Sequence, residues 1–287
     1  MAELSTAPEY EVVIRPSSNW LNFDWQGLWE YRDLLVLLVQ RDFTSRYKQT
    51  VLGPLWFLIQ PVLTAIIFVI VFGGIAGIAT DGTPKILFYL CGLLGWNYFS
   101  QNIAAGGATF VNNASLFGKV YFPRLIVPLS IVIANFVILG VQALPFFAAL
   151  IYYKIAGGAE AVQLTWMMPL VILPILQTAL LSLGVSLWMS ASTAKYRDLV
   201  HLMQYIIQIW MYVTPIAWPL SRVPARLQWL VWLNPMSVPT EAFHITLLGH
   251  GTLGLPETLI SVAMTLFLFV TGVALFQKIE RTVVDSV

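Results

Sequence analysis

The sequence predicts an all-α membrane protein with six transmembrane helices, and three observations lead to this fold class. The chain has 287 residues, of which 58% are hydrophobic and only 10% are charged, whereas soluble domains carry about 25% charged residues. Its mean hydropathy is +0.78. Stretches without Lys, Arg, Asp or Glu recur along the chain, and several exceed the roughly 20 apolar residues that cross a hydrocarbon core. The net charge of +1 gives no indication of nucleic-acid binding.

The first predicted unit, residues 1–48, is a cytoplasmic arm followed by an amphipathic helix that begins near Asp24, a residue type that caps helices. Apolar side chains recur along this helix at helical spacing: Leu28, Tyr31, Leu35 and Leu38. Five charged residues from Glu30 to Asp42 make a transmembrane position unfavourable. We therefore expect the helix to lie in the membrane interface. The alternative is a helix that packs on soluble protein.

The second predicted unit, residues 49–287, is a single membrane domain. Its six spans are expected at residues 54–78, 86–110, 125–152, 166–191, 199–220 and 257–277. With the N-terminus inside, the 15 Lys and Arg residues divide into eleven on the inner side and four on the outer side. Because Lys and Arg are enriched in cytoplasmic loops, both termini are expected in the cytoplasm.

Residues 215–256, between the fifth and sixth spans, combine an apolar composition with five prolines before Glu241. Two apolar segments in this region, residues 227–233 and 240–248, are each too short to span. Irregular backbone at membrane depth survives only when it is buried in protein or lines a water-filled cavity. The stretch therefore predicts a re-entrant hairpin of two short helices on the outer side. The alternative is an ordinary extracellular loop that rests on the membrane surface.

The predicted spans carry no Lys, Arg, Asp or Glu at their centres, where proton-coupled carriers keep such groups in spite of their cost. The chain also lacks an ATP-binding loop. Its nearest stretch, NASLFGKV at residues 113–120, has neither the first glycine nor the hydroxyl that would hold Mg²⁺. No catalytic residue, metal site or cofactor is expected in this chain, so the driving force for transport would come from another protein.

Two short connectors on the predicted inner side carry basic residues. The first, residues 109–127, holds Lys119 and Arg124, and the second, residues 194–198, holds Lys195 and Arg197. Each connector is held at both ends by spans and would transmit a rigid displacement, because packed helices shift as units. The alternative for Lys119 and Arg124 is simple anchoring at the lipid headgroups.

Aromatic side chains make up 14% of the chain. Trp and Tyr are enriched at both membrane interfaces, which accounts for many of them. Others lie within predicted spans and would suit a polymer path, since aromatic faces stack weakly on the C–H faces of sugar rings and weak sites in series let a polymer slide. The candidates for this path are Phe68, Phe72, Tyr89, Trp96, Phe99, Trp210 and Tyr212.

Five stretches resemble landmarks of the permease subunits of ABC exporters for polysaccharides, the group that handles O-antigen and teichoic acid. They are RDFTSRYKQTVLGPLWFLIQP at 41–61, GKVYFPRLIVPLS at 118–130, KYRDL at 195–199, VTPIAWP at 213–219 and WLNPM at 232–236. The five stretches occur in the family's order. The resemblance as a whole covers nearly all of the chain from residue 25 to residue 280. Many relatives have a Tyr where this chain has Trp218, so no hydrogen-bonding role is expected for Trp218.

The resemblance implies a homodimer of this chain with two copies of a separate ATPase, which would hold the ATP and Mg²⁺. It also implies a bacterial inner-membrane location and a continuous channel for a lipid-linked polysaccharide, usually carried on undecaprenyl diphosphate. A coupling helix is implied between the second and third spans. The residues that would contact the ATPase are Ser115, Leu116, Phe117, Gly118, Lys119, Tyr121, Arg124, Arg197 and Asp198.

Two other functions are compatible with the sequence. An ABC permease for a small amphiphile or drug would have the same spans. A membrane-embedded lipid-modifying enzyme would use the outer segment, where Glu241, His244 and His250 form a candidate acid/base set. Glu241 and His244 lie on one helical face at a spacing of i, i+3. No nucleophile or metal triad accompanies these residues in the sequence.

Overall fold

The structure is a computed structural model that describes residues 25–46, 48, 50–120, 122–156 and 166–284. The predicted arm at residues 1–24, with the expected cap Asp24, and Tyr121 of the first connector lie outside the described residues. The described residues form helices joined by turns, without a β-strand. The α-helices are α1 (Trp25–Glu30), α2 (Arg32–Ser45), α3 (Trp56–Phe68), α4 (Lys85–Gly106), α5 (Thr109–Asn112), α6 (Ala114–Phe117), α7 (Ile126–Ile155), α8 (Ile172–Lys195), α9 (Leu199–Val213), α10 (Ala225–Trp232), α11 (Ser237–Leu248) and α12 (Leu255–Val284).

Four described helical segments are long and apolar enough to cross a membrane: Gly53–Ile75, Ile126–Ile155, Met168–Lys195 and Leu255–Glu280. They coincide with the first, third, fourth and sixth predicted spans, and they make the chain a multi-pass membrane protein. The second and fifth predicted spans correspond to α4 and α9. α4 contains several polar residues, and α9 has only 15 residues because it ends before Pro215. The count of six spans therefore stays a prediction.

The central helix of the fold is α4, which packs on α3, α7, α8 and α11. Every residue from Leu87 to Trp96 is buried, as is Asn102 further along the helix. A helix that is covered by protein on most sides does not need an apolar surface toward lipid. This position explains why α4 tolerates polar side chains that an isolated span would not.

Close contact between α8 and α12 depends on two glycines that face each other. A Cβ added at Gly272 would lie 2.5 Å from the carbonyl oxygen of Gly184. A Cβ added at Gly184 would lie 2.7 Å from the Cα of Phe269. Small residues at helix crossings let the two backbones approach, which is a common arrangement between membrane helices.

The N-terminal helices α1 and α2 pack on α7 and on the first connector. Leu38, from the apolar stripe of the sequence, is buried against Phe122 and Ile126, and the other three stripe residues pack beside it. This stripe therefore faces protein. A second apolar set, which includes Trp29 and Leu37, is exposed. The interfacial position of this helix stays a prediction, and the exposed set is the side that would meet lipid.

The region between the fifth and sixth predicted spans contains the two short helices that its sequence predicts, α10 and α11. α11 is almost fully buried and packs on α4, α8 and the turn Met168–Val171, whereas α10 is largely exposed. α11 ends at Gly249, whose positive φ of 73° is the left-handed conformation that commonly ends helices. Re-entry of this hairpin into the membrane stays a prediction.

Candidate functional sites

The first connector consists of two single helical turns, α5 and α6, with an exposed side and an apolar underside. Ser115, Gly118 and Lys119 are exposed. Leu116 and Phe117 are half-buried and pack on the cluster that contains Leu38 of α2. The connector therefore has an exposed side that carries Ser115 and Lys119, while its underside is fixed to the helices behind it.

Arg124, at the end of this connector, is bound to the last helix of the same chain. Its Nη1 donates to the Glu280 carbonyl oxygen at 3.2 Å, and its backbone N–H donates to Glu280 Oε1 at 3.3 Å. The guanidinium carbon also lies 5.2 Å from the centroid of the Phe117 ring, within the range of a cation–π contact. The side chain is half-buried, so Arg124 fixes the connector to α12 whether or not a partner also contacts it.

The second connector is exposed, and its base is joined to that of the first. Lys195, Arg197 and Asp198 are all exposed. Just before them, Thr193 Oγ1 donates to the Gly107 carbonyl oxygen at 2.7 Å, where α4 passes into the first connector. The structure therefore brings together the two connectors that the sequence places nearly ninety residues apart.

Arg46 joins the N-terminal helices to this same end of the fold. Its Nη1 donates to Gln101 Oε1 of α4 at 3.0 Å. Burial lowers the pKa of Arg46 below its ordinary value, and the nearby charge of Asp42 opposes that shift. The guanidinium keeps its charge in proteins at any physiological pH. Sequence reasoning did not identify this contact, because no local pattern relates residues 46 and 101.

The aromatic residues proposed for a polymer path fall into two clusters inside the core. Phe68 packs edge-on against Phe72 and Tyr89, with ring centroids 5.0 and 5.8 Å apart. Phe99 lies between Trp96 and Trp210, at 5.5 and 5.1 Å. These spacings suit the edge-to-face and tilted arrangements that aromatic rings prefer in cores.

Tyr212 is the seventh path candidate and differs from the other six because it is 52% exposed. Its carbonyl oxygen accepts a hydrogen bond from Trp218 Nε1 at 3.4 Å. The expectation that Trp218 has no hydrogen-bonding role is therefore wrong, because its indole N–H is itself a donor. The role of all seven aromatic residues in a polymer path stays a prediction.

A buried polar network joins three helices at the centre of the bundle. Asn135 of α7 donates through Nδ2 to Asn102 Oδ1 at 2.7 Å, and Asn102 Nδ2 donates to Ser182 Oγ of α8 at 2.9 Å. All three side chains are almost completely buried. No charged residue marks this network in the sequence, because amides and hydroxyls hold helices together without a formal charge.

At the other end of the bundle, a small pocket of about 10 Å³, with room for about one water molecule, lies between the α3–α4 loop and α11. Its lining residues are Thr80, Asp81, Thr83, Phe88, Pro219, Glu241, His244, Leu248, His250 and Gly251. Glu241 Oε1 accepts a hydrogen bond from the Thr252 N–H at 2.9 Å, and Glu241 Oε2 lies 3.7 Å from His244 Nδ1. The candidate acid/base residues are thus brought to one pocket. No group of three side chains that could hold a metal ion occurs among the described residues.

The four long apolar helices define the class of the molecule as a multi-pass membrane protein. Residues 33–248, well over half of the sequence, match the profile of the ABC-2 type transporter family, and the chain belongs to this family. Members of this family are transport permeases and do not themselves catalyse a reaction.

Similar proteins include three O-antigen export system permease proteins named RfbA. The one from Myxococcus xanthus is 26% identical over 263 residues, which cover 91% of this chain and 97% of that protein. Two from Klebsiella pneumoniae are each 27% identical, over 248 and 249 residues, and each alignment covers 86% of this chain and 92% of the relative. The similarity therefore extends over nearly the whole length of each relative.

Proposed function

We propose that this chain is the membrane permease of an ATP-driven ABC exporter that moves a lipid-linked, O-antigen-like polysaccharide across the bacterial inner membrane. The observation that carries the proposal is the near full-length similarity to three O-antigen export permeases within the ABC-2 type family. These relatives also favour a polysaccharide over the small amphiphile or drug that the spans alone would allow. Both termini lie on the cytoplasmic side in this proposal.

The polymer path forms between two copies of the chain. The core of one copy is filled by the aromatic clusters around Phe68 and Phe99, which leaves little room for a polymer inside it. Exposed apolar side chains lie instead on the first span and on α9, among them Ile67, Ile70, Tyr205 and Ile209. Pairing of these surfaces would place Tyr212, the exposed path candidate, beside the seam of the homodimer.

A separate ATPase, which binds the ATP and Mg²⁺, docks on the exposed side of the two connectors. Lys119, Arg197 and Asp198 supply exposed charges for this contact. Displacement of the connectors reaches the bundle through two fixed points, the Thr193–Gly107 hydrogen bond and the contact of Arg124 with α12. Packed helices then move as units, which carries the displacement across the membrane.

The test is reconstitution of the purified chain with and without its ATPase. The chain alone is expected to hydrolyse no ATP, and the complex is expected to hydrolyse ATP faster when lipid-linked polysaccharide is added. In cells, deletion of the ATPase gene should leave the polymer on the cytoplasmic side. Export that persists after this deletion would contradict the proposal. If small hydrophobic compounds stimulate ATP hydrolysis by the complex and lipid-linked glycan does not, the drug permease would be favoured instead.

A further inference from the structure

The pocket beside α11 has a buried polar floor and an exposed rim. Glu241 and His244 form the floor and are 4% and 2% exposed. Asp81 and Gly251, at the rim, are exposed, so the pocket opens to the surface. The ring of His244 stacks on Phe88 with centroids 4.4 Å apart, which fixes the orientation of its two nitrogens. A ligand that enters from the rim therefore meets polar atoms held in place.

Several of these polar atoms have no hydrogen-bond partner among the described residues. They are Nδ1 and Nε2 of His244 and Nε2 of His250, all of them buried atoms. Buried polar side-chain atoms in proteins are bonded in the large majority of cases, and an unsatisfied one calls for an explanation. The described residues of the pocket thus leave hydrogen-bonding positions open to a ligand.

The backbone around the floor keeps the Glu241 carboxylate in the pocket. The N–H of Thr252 holds Oε1, which leaves Oε2 for a further donor. Gly251 has a φ of +146°, and a Cβ there would lie 2.9 Å from Glu241 Oε1. Across the rim, Ser221 Oγ donates to Asp81 Oδ2 at 2.7 Å and orients that carboxylate. The turn after α11 therefore closes on the carboxylate without a side chain that would fill the pocket.

The chemistry of the lining selects neutral hydroxyl groups. The described lining residues include two carboxylates, two imidazoles and two threonines, but no Lys or Arg. Carboxylates repel the phosphate groups of a lipid diphosphate, whereas they accept hydrogen bonds from hydroxyls. A neutral imidazole accepts through one nitrogen and donates through the other, which matches the two-way hydrogen bonding of an alcohol.

We propose that this pocket is a hydroxyl-binding subsite that takes a single hydroxyl group of a sugar ring of the exported polymer. The inference rests on the proposed export function. It assigns His244, His250 and Glu241 to the sugar at the predicted outer end of the bundle. A net hydrogen bond changes a binding constant by about two- to twelvefold, so each contact is weak and a moving polymer is released from it.

The test uses the full-length chain in lipid nanodiscs with isotope-labelled histidine. The chain has only three histidines, so their NMR signals can be assigned by substitution. The probes are methyl α-D-mannopyranoside, methyl α-D-galactopyranoside and methyl α-L-rhamnopyranoside, with inorganic pyrophosphate as the anionic comparison. His201, exposed on α9, is the internal control.

Saturable shifts of the His244 and His250 signals with at least one glycoside, but not with pyrophosphate, are expected. His244→Phe, which keeps a ring on Phe88, should weaken glycoside binding at His250 by about two- to twelvefold. His250→Ala should do the same at His244, so the test survives if one variant fails to fold. Unchanged signals with every glycoside would mean that the pocket holds a structural water only, and saturation by pyrophosphate would make it an anion site.

Export measured in cells separates this inference from the function on which it rests. If export requires the chain and its ATPase while every glycoside leaves both histidines unchanged, the subsite is wrong and the exporter stands. If export does not require the chain, the proposed function itself is wrong.

Discussion

Arg124 and Glu280, which are 156 positions apart in the sequence, are held together by two hydrogen bonds. One runs from the Arg124 side chain to the Glu280 carbonyl oxygen, and the other from the Arg124 backbone to the Glu280 carboxylate. The first connector is thereby tied to the end of α12 as well as to α4 and α7. A force applied to the connector consequently acts on the last helix of the chain.

Arg124→Glu is expected to leave insertion intact but to uncouple ATP hydrolysis from export. The new carboxylate would repel Glu280 and release the connector from α12. We expect export per ATP hydrolysed to fall by about tenfold, within the usual range of coupling between sites. Polymer export and ATP hydrolysis measured in the same proteoliposomes give this ratio.

Lys119→Glu is the matched control, because it makes the same charge change at an exposed position. It should weaken association with the ATPase and lower hydrolysis and export together. If Arg124→Glu behaves in the same way as Lys119→Glu, the contact with α12 has no separate role in coupling.

Gly184→Ala is expected to destabilise the bundle by about 1–3 kcal/mol, the usual cost of overpacking. The added Cβ would meet the backbone of Phe269 at 2.7 Å, and backbone cannot rotate aside as a long side chain can. Gly140→Ala on α7 is the matched control, since a Cβ there meets no atom within 4 Å. Thermal unfolding in detergent should separate the two variants, and equal stability would show that α8 and α12 can move apart freely.

Asn102→Ala is expected to remove the hydrogen bonds that join Asn102 to Asn135 and Ser182. Ser182 would keep its bond to the Ala179 carbonyl oxygen at 3.0 Å. Hydrogen bonds between membrane helices contribute about 0.6 kcal/mol on average and up to about 1.7 kcal/mol. A double-mutant cycle with Asn135→Ala should give a coupling free energy in this range when unfolding is followed in detergent. Additive effects would mean that the two amides pack together without stabilising each other.

Cys91 is completely buried in α4 and is expected to resist maleimide in the folded protein. The natural chain can therefore serve as the background for topology mapping, with only the introduced cysteine labelled. Lys119→Cys and Lys195→Cys should react with a membrane-impermeant maleimide in inverted vesicles, and Asp81→Cys should react in intact cells. Labelling of positions 119 and 195 in intact cells would reverse the topology and remove the proposed ATPase contact.

The sequence predicts the helical class, the long apolar helices and the two short helices α10 and α11, because each depends on composition or local spacing. It could not predict which surface covers a helix. Leu28, Tyr31, Leu35 and Leu38 were correctly recognised as one face of the N-terminal helix, but that face meets α7 and the first connector. Amphipathic periodicity has the same form whether the neighbour is lipid or protein.

The candidate sites also divide into features that local sequence predicts and features that depend on residues far apart in the chain. Lys119 and Arg197 are exposed, and their contact with an ATPase stays a prediction. The contact of Arg124 with Glu280 and the amide network around Asn102 depend on pairs far apart in the chain, so no motif marked them. The aromatic residues predicted for a polymer path share only their position within predicted spans. The sequence does not show which of them are packed in the core, as Phe99 is at 0% exposure.

The burial of α4 has a consequence for how this protein is made. α4 leaves the ribosome before α7 and α8, the later helices that cover much of it. Until they follow, Asn102 would lack its partners Asn135 and Ser182, and unpaired polar groups are costly in hydrocarbon. If α4 crosses the membrane as the sequence predicts, it would therefore have to stay beside α3 or within the insertion machinery until its later neighbours arrive.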